Sequence, residues 1–501
     1  MKKLLMTALL MTLMTLPARA DTVPAYGSDF SSGTDGFYAR SMGTAALDVS
    51  DGTLTITGRT QDWNSMGRDF ALTPGETYEL SVQVRQDEVD TARFVLSVAH
   101  KKNGQESYEN IAFLNAKKGE WLELRGAYTP GPFDSYVLYV ETLGAPQLSY
   151  SIRDFQVFGR VNDFSRDIPS LKEAYKDHFP FGTAVTILEA LNTPRMDFYA
   201  SQFNILTPGN ELKPDSVLDV RESARLARED DTAVAVHLDA ARPMLDYAFK
   251  NSIPVHGHVL VWHSQTPAAF FHEGYDTSRP RVSREVMLRR LENYISGVFA
   301  LTEKDYPGLI VSWDVVNEAI DDSTGKLRKS PWLETVGDDY ISRAFEYARK
   351  YAPQGVRLYY NDYNTAYEPK QTGIVNVLET LIKEGTIDGY GFQMHHDISQ
   401  PSYAAIKKAV DRVAATGLKM RISELDVTIP ALTDENLDKQ AALYKQMLAL
   451  ALSYEDRIEA VQVWGVTDDL SWRAKQFPLL FNADYSPKKA FYSVLEALEE
   501  R

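Results

Sequence analysis

The chain has 501 residues, contains no cysteine and carries a formal net charge of −16. The lack of cysteine excludes disulfides, thiolate metal sites and a cysteine nucleophile. The charge argues against nucleic acid or an anionic membrane surface as the main partner, because both repel an acidic protein, and a neutral substrate fits better.

The first predicted element is a secretory signal over residues 1–20. Two lysines precede an apolar run over residues 4–16, and Ala18 and Ala20 supply the small residues of a cleavage site. The run is too short for a typical membrane-spanning helix, and no later stretch reaches about 18 consecutive apolar residues. We therefore expect an exported protein, secreted or periplasmic, with no membrane span.

Residues 21–158 show the period of two that is typical of antiparallel strands. Apolar and polar residues alternate in short runs, and breaks that contain Gly and Pro separate these runs. The clearest runs are residues 53–57, 78–84, 121–124 and 136–140. This pattern predicts an all-β sandwich without a strong helix.

After a short polar linker over residues 159–170, strands and helices alternate through residues 171–501. Helical periodicity is clearest over residues 284–302 and 437–453. Eight strands alternating with helices predict a (β/α)₈ barrel, and on pattern alone a doubly wound sheet is the alternative. The predicted strands are residues 181–185, 202–206, 253–261, 310–316, 356–360, 389–394, 419–423 and 460–466.

Polar residues gather at the carboxyl ends of these strands, where the loops of a barrel build an active site. Two glutamates close strong apolar strands: Glu318, and Glu424, which follows 106 residues later (424 − 318). A buried carboxylate needs either a partner or a function. Glycoside hydrolysis uses such a pair of carboxylates, and Asn317 beside the first is placed to bind a sugar hydroxyl.

Two other interpretations of these residues stay open. Each polar residue taken alone is an ordinary strand-end group, an interpretation that weakens when all eight strands share the pattern. A divalent metal site would use His258, His263 and His395 with the two glutamates, although no spacing typical of zinc hydrolases occurs.

Residues 170–498 resemble the family 10 glycoside hydrolases, which are retaining endo-β-1,4-xylanases. The resemblance implies a TIM barrel with Glu318 as acid/base and Glu424 as nucleophile, and no cofactor in catalysis. The matching blocks, in order, are GHVLVWHSQTP from residue 257, WDVVNE from 313, NDYN from 361, SELDV from 423 and WGVTDDLSW from 464. The substrate contacts or orienting residues that it implies are Asn210, Lys213, His258, Trp262, Gln265, Asn317, Gln393, His395, Trp464 and Trp472.

Two positions depart from the family pattern. Gly209 stands where the family commonly has a glutamate before Asn210, so we expect one contact to an outer sugar to be missing. His256 replaces a commoner arginine.

Residues 27–158 resemble family 22 carbohydrate-binding modules. The matching stretches are LTITGRTQDW from residue 54, LTPGETYELSVQV from 72, GEWLEL from 119 and YVET from 139. The resemblance implies a β-sandwich that binds xylan through Arg40, Trp63, Tyr108, Tyr139 and Glu141. It also implies a structural calcium ion, for which no ligand set stands out in the sequence.

Together these patterns predict a monomer that binds and cleaves xylan and xylo-oligosaccharides. The expected mechanism is a double displacement, with the two carboxyl groups about 5 to 5.5 Å apart. The alternatives are an enzyme for a different β-1,4 or mixed-linkage glucan and a polysaccharide-binding protein without catalysis.

Overall fold

The structure, a computed structural model, describes residues 22–40, 45–102, 104–160, 164 and 167–499. The chain divides into two compact units, mainly the residues before and after position 162. The predicted signal and part of the predicted linker lie outside the described residues. Among the residues that are described, no helix is long and apolar enough to cross a bilayer.

The N-terminal unit consists of strands, as its period of two predicts. They are β1 (Thr22–Ser28), β2 (Tyr38–Arg40), β3 (Ala46–Ser50), β4 (Thr53–Thr57), β5 (Ser65–Phe70), β6 (Tyr78–Arg85), β7 (Thr91–Lys102), β8 (Gln105–Lys117), β9 (Leu122–Tyr128), β10 (Ser135–Thr142) and β11 (Tyr150–Arg160). One antiparallel sheet has the order β3-β4-β11-β6-β9, with β1 beside β11, and the other has the order β2-β5-β10-β7-β8. Buried and half-buried residues alternate along β6, so one face of its sheet forms the core.

The C-terminal unit has parallel strands. They are β12 (Phe181–Val185), β13 (Ile205–Pro208), β14 (Val255–Gly257), β15 (Val261–Trp262), β16 (Ile310–Asn317), β17 (Arg357–Asp362), β18 (Gly389–Phe392), β19 (His395–Asp397), β20 (Lys419–Thr428) and β21 (Ile458–Val463). The sheet closes because β12 pairs with both β13 and β21, while β14 also pairs with β16. The short strands β15 and β19 extend this ring of eight, which confirms the barrel and excludes a doubly wound sheet.

Helices alternate with the barrel strands. They are α1 (Leu171–Ala174), α2 (Ile187–Ala190), α3 (Thr193–Gln202), α4 (Pro214–Val217), α5 (Val220–Leu226), α6 (Arg242–Lys250), α7 (Arg284–Asp305), α8 (Pro331–Thr335), α9 (Tyr340–Tyr351), α10 (Lys370–Glu384), α11 (Tyr403–Ala414), α12 (Asp434–Leu452) and α13 (Lys489–Glu496). Ser283 and Thr433 cap α7 and α12, since each side chain accepts a bond from a backbone N–H of the first turn. The predicted start of the second strand at residue 202 is wrong, because Gln202 ends α3 and accepts a bond from the backbone N–H of Leu171.

Candidate active site

A cavity of ≈ 580 Å³ opens at the carboxyl ends of the barrel strands. The barrel residues predicted for the site all line it: Asn210, Lys213, His258, Trp262, Gln265, Asn317, Glu318, Gln393, His395, Glu424, Trp464 and Trp472. They come from loops and strand ends that are far apart in sequence. The closed barrel brings them together because its parallel strands all end at the same face.

Glu318 directly follows β16 and has a backbone φ of 55°. This left-handed conformation costs a residue with a side chain about 1–3 kcal/mol, so surrounding contacts must hold it. Its carboxylate accepts a bond from Trp262 Nε1 at 2.9 Å and one from Gln393 Nε2 at 3.0 Å. Glu318 therefore has a fixed direction into the cavity.

Glu424 lies within β20 and is only 4% exposed. Asn361 Nδ2 donates to one of its carboxylate oxygens at 2.7 Å, and His395 Nε2 lies 3.1 Å from the other. Two hydrogen bonds, one to each oxygen, fix the orientation of this carboxylate. This arrangement suits a nucleophile.

A continuous line of amide hydrogen bonds joins the two glutamates. Asn317 Oδ1 accepts from Gln393 Nε2 at 3.0 Å and from Asn361 Nδ2 at 3.1 Å, and the same two amides donate to Glu318 and Glu424. Because its oxygen is occupied, the amino group of Asn317 is left to donate to a ligand in the cavity. The relative positions of the two carboxylates are thereby set by three amide side chains.

Asn361 keeps its place because a glycine faces it. A Cβ atom at Gly391 would lie 2.3 Å from Asn361 Oδ1, and Ser423 Oγ donates to that oxygen at 2.6 Å. A larger residue at position 391 would therefore displace the amide that holds Glu424.

His395 carries a positive charge in this site. Burial opposes that charge, but Asp426 and Glu424, which contact its two ring nitrogens at 2.8 and 3.1 Å, outweigh burial and raise the pKa of His395 to about 10. Burial also disfavours the charge on Asp426, yet His395 and Arg473 hold the pKa of Asp426 below its ordinary value. The pair is thus an imidazolium that donates to Glu424 and an aspartate that orients the imidazolium.

The charge on His395 predicts a specific dependence of stability on pH. Its pKa rises from 6.5 to about 10 on folding, so its contribution is fully present below pH 6.5 and is lost as the pH rises through about 10. In urea unfolding, we expect the stability difference between wild type and His395→Asn to shrink by more than about 1.4 kcal/mol, one pKa unit, across this window. A stability difference between wild type and His395→Asn that does not change with pH would contradict this prediction. The control is His178→Asn, which removes a histidine paired with Glu455 at the surface.

The cavity is also lined by a lysine that two amide side chains hold in place. Lys213 Nζ donates to Asn210 Oδ1 at 2.9 Å and to Gln265 Oε1 at 3.0 Å, and it lies 4.8 Å from the centre of the Trp262 ring. Burial lowers the pKa of Lys213, while the negative charge of Glu424 and other carboxylates opposes the shift. Gly209 lies beside this group on the cavity wall. The group offers hydrogen-bond donors to the hydroxyls of a neutral ligand.

A buried aspartate holds the histidine of the cavity floor. Asp314 Oδ2 lies 2.9 Å from His258 Nδ1 and 3.0 Å from His256 Nε2. Burial and the charge of Arg421 lower the pKa of His256 to about 4. His256 is therefore a neutral residue of the barrel interior that contacts the same carboxylate as His258.

The tryptophans have different roles. Trp472 is 65% exposed at the cavity mouth, whereas Trp332 is 1% exposed and donates from Nε1 to the backbone oxygen of Trp262 at 2.9 Å. Trp332 therefore supports Trp262 and is not among the residues that line the cavity. Trp313 in β16 is likewise buried, with 1% exposure.

Sequence reasoning gave no role to several residues that the structure places in the site. Asn361 has no predicted role beyond its place in the NDYN block, and Asp314 and Arg473 have none at all. Arg473 donates to Asp426 Oδ1 at 2.8 Å. Asp314 carried a usable signal, because an aspartate inside a buried strand requires a partner.

Four of the five residues considered for a metal site are hydrogen-bonded to other side chains: His258, His395, Glu318 and Glu424. Both ring nitrogens of His395 contact carboxylates, and His258 Nδ1 contacts Asp314. Over the described part of the chain, no group of three or more His, Cys, Asp or Glu residues could hold a metal ion. The ligands of the calcium ion expected in the N-terminal unit stay unidentified.

Most of the residues predicted for the N-terminal module share one face of the sheet that contains β10. The Arg40 guanidinium lies 3.9 Å from the centre of the Tyr139 ring and 5.4 Å from that of Tyr108. Glu141 accepts a bond from Ser97 Oγ at 3.0 Å. Tyr139 is 2% exposed beneath Arg40, whereas Tyr108 is 61% exposed. Trp63 is 55% exposed in the loop before β5.

Comparison with known families identifies the barrel. The model of glycosyl hydrolase family 10 matches residues 170–497. The chain belongs to this family. A carbohydrate binding domain model matches residues 25–147, which gives the family 10 barrel an N-terminal binding module.

Curated relatives of this family 10 chain include two xylanases. Endo-1,4-beta-xylanase A of Thermoanaerobacterium saccharolyticum is 34% identical over 89% of the chain, and endo-1,4-beta-xylanase B of Butyrivibrio fibrisolvens is 38% identical over 66%. The chain spans only 38% and 53% of the lengths of these two relatives.

Solved structures extend the similarity to both units. The CBM22-1 and GH10 modules of a Clostridium thermocellum endo-1,4-beta-D-xylanase, complexed with xylohexaose, match 93% of this chain and 95% of that one, with 30% identity and a TM-score of 0.63. The xylanase TsXylA of Thermoanaerobacterium saccharolyticum, complexed with xylotriose, matches 66% of this chain and 99% of its own, with 35% identity and a TM-score of 0.60.

Proposed function

We propose that the chain hydrolyses internal β-1,4 linkages of xylan with retention of configuration. The observation that carries the proposal is the pair Glu318 and Glu424, held in one cavity by Asn317, Gln393 and Asn361. The names of the relatives and the xylo-oligosaccharides bound in similar structures support xylan as the substrate.

In the first step, Glu424 attacks the anomeric carbon while Glu318 gives its proton to the departing glycosidic oxygen. Asn361 and His395 hold the attacking carboxylate, so that little reorganisation is needed at the moment of reaction. The free amino group of Asn317 is placed to donate to a sugar hydroxyl beside the reacting carbon. The product of this step is a covalent xylosyl-enzyme and a shortened xylan chain.

In the second step, Glu318 takes a proton from a water molecule. The resulting hydroxide attacks the anomeric carbon and releases Glu424, which restores the starting configuration after two inversions. Trp262 and Gln393 keep the Glu318 carboxyl group in one direction through both steps.

Activity on two polymers tests the substrate. Purified protein is expected to release reducing sugar from linear xylan at least about 10-fold faster than from carboxymethylcellulose, because glucose carries a hydroxymethyl group that the cavity wall would have to admit. Equal or greater activity on carboxymethylcellulose would identify a different β-glucanase. Binding of xylan without hydrolysis would identify a binding protein.

We also propose that the N-terminal module binds xylan through its exposed aromatic rings. Trp63→Ala and Glu141→Gln are expected to lower affinity for insoluble xylan about 10-fold or more, because one removes a flat platform and the other a carboxylate acceptor. Tyr492→Ala, which removes a 46% exposed ring from α13, should leave affinity unchanged. Pull-down isotherms on xylan measure this, and unchanged binding in both module variants would contradict it.

Export is proposed from the N-terminal residues alone. The two lysines, the apolar run over residues 4–16 and the small residues before position 21 support cleavage after Ala20 and export of the remaining chain. N-terminal sequencing of protein recovered outside the cytoplasm is expected to begin at Asp21.

A further inference from the structure

The backbone at Glu318, the proposed acid/base, adopts an unusual conformation. Glu318 has a φ of 55°, although its side chain disfavours the left-handed region. The direction of the Glu318 carboxyl group depends on this angle, because the side chain begins at the same α-carbon. Contacts that fix residues 318–320 therefore also set where the acid/base points.

Arg328 makes several of these contacts. Its Nε donates to the backbone oxygen of Glu318 at 3.1 Å, and its terminal nitrogen donates to that of Ile320 at 3.2 Å. Its backbone N–H donates to the oxygen of Ala319 at 2.7 Å. Arg328 thus accounts for the carbonyl groups of three successive residues that begin at the acid/base.

The same arginine also reaches the cavity wall. Its terminal nitrogen donates to Tyr363 Oη at 2.8 Å, and the Tyr363 hydroxyl donates to Asp322 at 2.6 Å. Tyr363 lines the cavity. The Arg328 side chain is only 19% exposed, so water competes weakly for these bonds.

A tyrosine holds the opposite side of the same segment. Tyr360 Oη accepts a bond from the backbone N–H of Ala319 at 3.1 Å and donates to Asp362 at 2.6 Å. Asp362 in turn contacts Lys370 Nζ at 2.9 Å, and both of these side chains are fully buried. The segment after Glu318 therefore lies between Arg328 and a tyrosine fixed by a buried ion pair.

We propose that Arg328 is a positioning residue for the acid/base. By holding the backbone of residues 318–320, Arg328 keeps the Glu318 carboxyl group in its catalytic direction, and Tyr360 assists by holding the backbone N–H of Ala319. The inference rests on the proposed glycosidase function. It predicts that losing Arg328 impairs proton donation more than nucleophilic attack, since its contacts are with the Glu318 segment and not with Glu424.

Two aryl xylobiosides separate these effects. A dinitrophenyl group leaves without a proton, whereas a phenyl group needs one from the acid. For Arg328→Gln, kcat/KM on the phenyl substrate is expected to fall about 10²-fold, the scale of a displacement of about 1 Å, and on the dinitrophenyl substrate less than about 3-fold. Tyr360→Phe should show the same selectivity, which keeps the test available if Arg328→Gln does not fold.

Arg290→Gln is the matched control. This fully buried arginine donates to the backbone oxygens of Phe270 and His272, so it is a structural arginine in the same unit. Its loss should affect both substrates equally. Equal losses on both substrates in the Arg328 and Tyr360 variants, or no loss in either, would overturn the inference. A wild type inactive on every xylose substrate would instead refute the proposed function.

Discussion

Replacing Glu424 by alanine is expected to lower kcat on xylan by about 10⁴–10⁶-fold, the scale seen when a covalent nucleophile is removed. Asn361 and His395 hold the Glu424 carboxylate in its position, and alanine offers them no acceptor. The space that the Glu424 side chain leaves in Glu424→Ala should also admit a small anion. Added azide is therefore expected to restore cleavage of a dinitrophenyl xylobioside and to give the α-xylobiosyl azide by a single inversion.

The matched control for this loss is another glutamate. Glu379 is exposed on α10, and Glu379→Ala should keep kcat within about 2-fold of wild type, as is usual for surface positions. Initial rates on soluble xylan give both values, and circular dichroism confirms that each variant folds. If Glu424→Ala retains more than a few per cent of the wild-type activity, Glu424 is not the nucleophile.

The second large effect is expected at Glu318. Glu318→Ala should lower kcat/KM about 10²–10⁴-fold on xylan and on phenyl xylobioside, the range that general acid catalysis contributes. On dinitrophenyl xylobioside the loss of kcat/KM should be less than about 10-fold, because this leaving group departs as a stable anion. The second step should then become slow, since no base activates water, so we expect an initial burst of dinitrophenol followed by slow turnover.

Gln393→Ala gives a useful comparison for this result. It removes one donor to Glu318 and one to Asn317 while both carboxylates remain. An intermediate loss with partial dependence on the leaving group is expected from stopped-flow measurements. An equal loss on both substrates in Glu318→Ala would contradict its assignment as the acid.

Much of the barrel could be predicted from the sequence because its parallel strands are buried on both faces. Mostly apolar runs such as the one before Asn317, which only Ser312 and Asp314 interrupt, have few other interpretations, and the glutamates at 318 and 424 are conspicuous at the ends of such runs. The start of the second strand was missed because residue 202 belongs to a helix whose buried apolar positions look similar in sequence.

The network between the glutamates could not be predicted in the same way. The bonds from Asn361 to Asn317 and Glu424 depend on the pairing of β16 with β17 and on the space left at Gly391. Sequence gives the residue types but not which strands become neighbours. The contacts of Arg328 depend likewise on a loop that folds back onto residues 318–320.

The most direct test of the double displacement is the configuration of the first sugar released. Proton NMR spectra recorded within the first minutes of xylo-oligosaccharide hydrolysis resolve the two anomeric protons before they equilibrate. The arrangement of Glu318 and Glu424 predicts that the β-anomer appears first and the α-anomer follows only by mutarotation. Appearance of the α-anomer first would mean a single displacement by water, and would contradict the role of Glu424 as nucleophile.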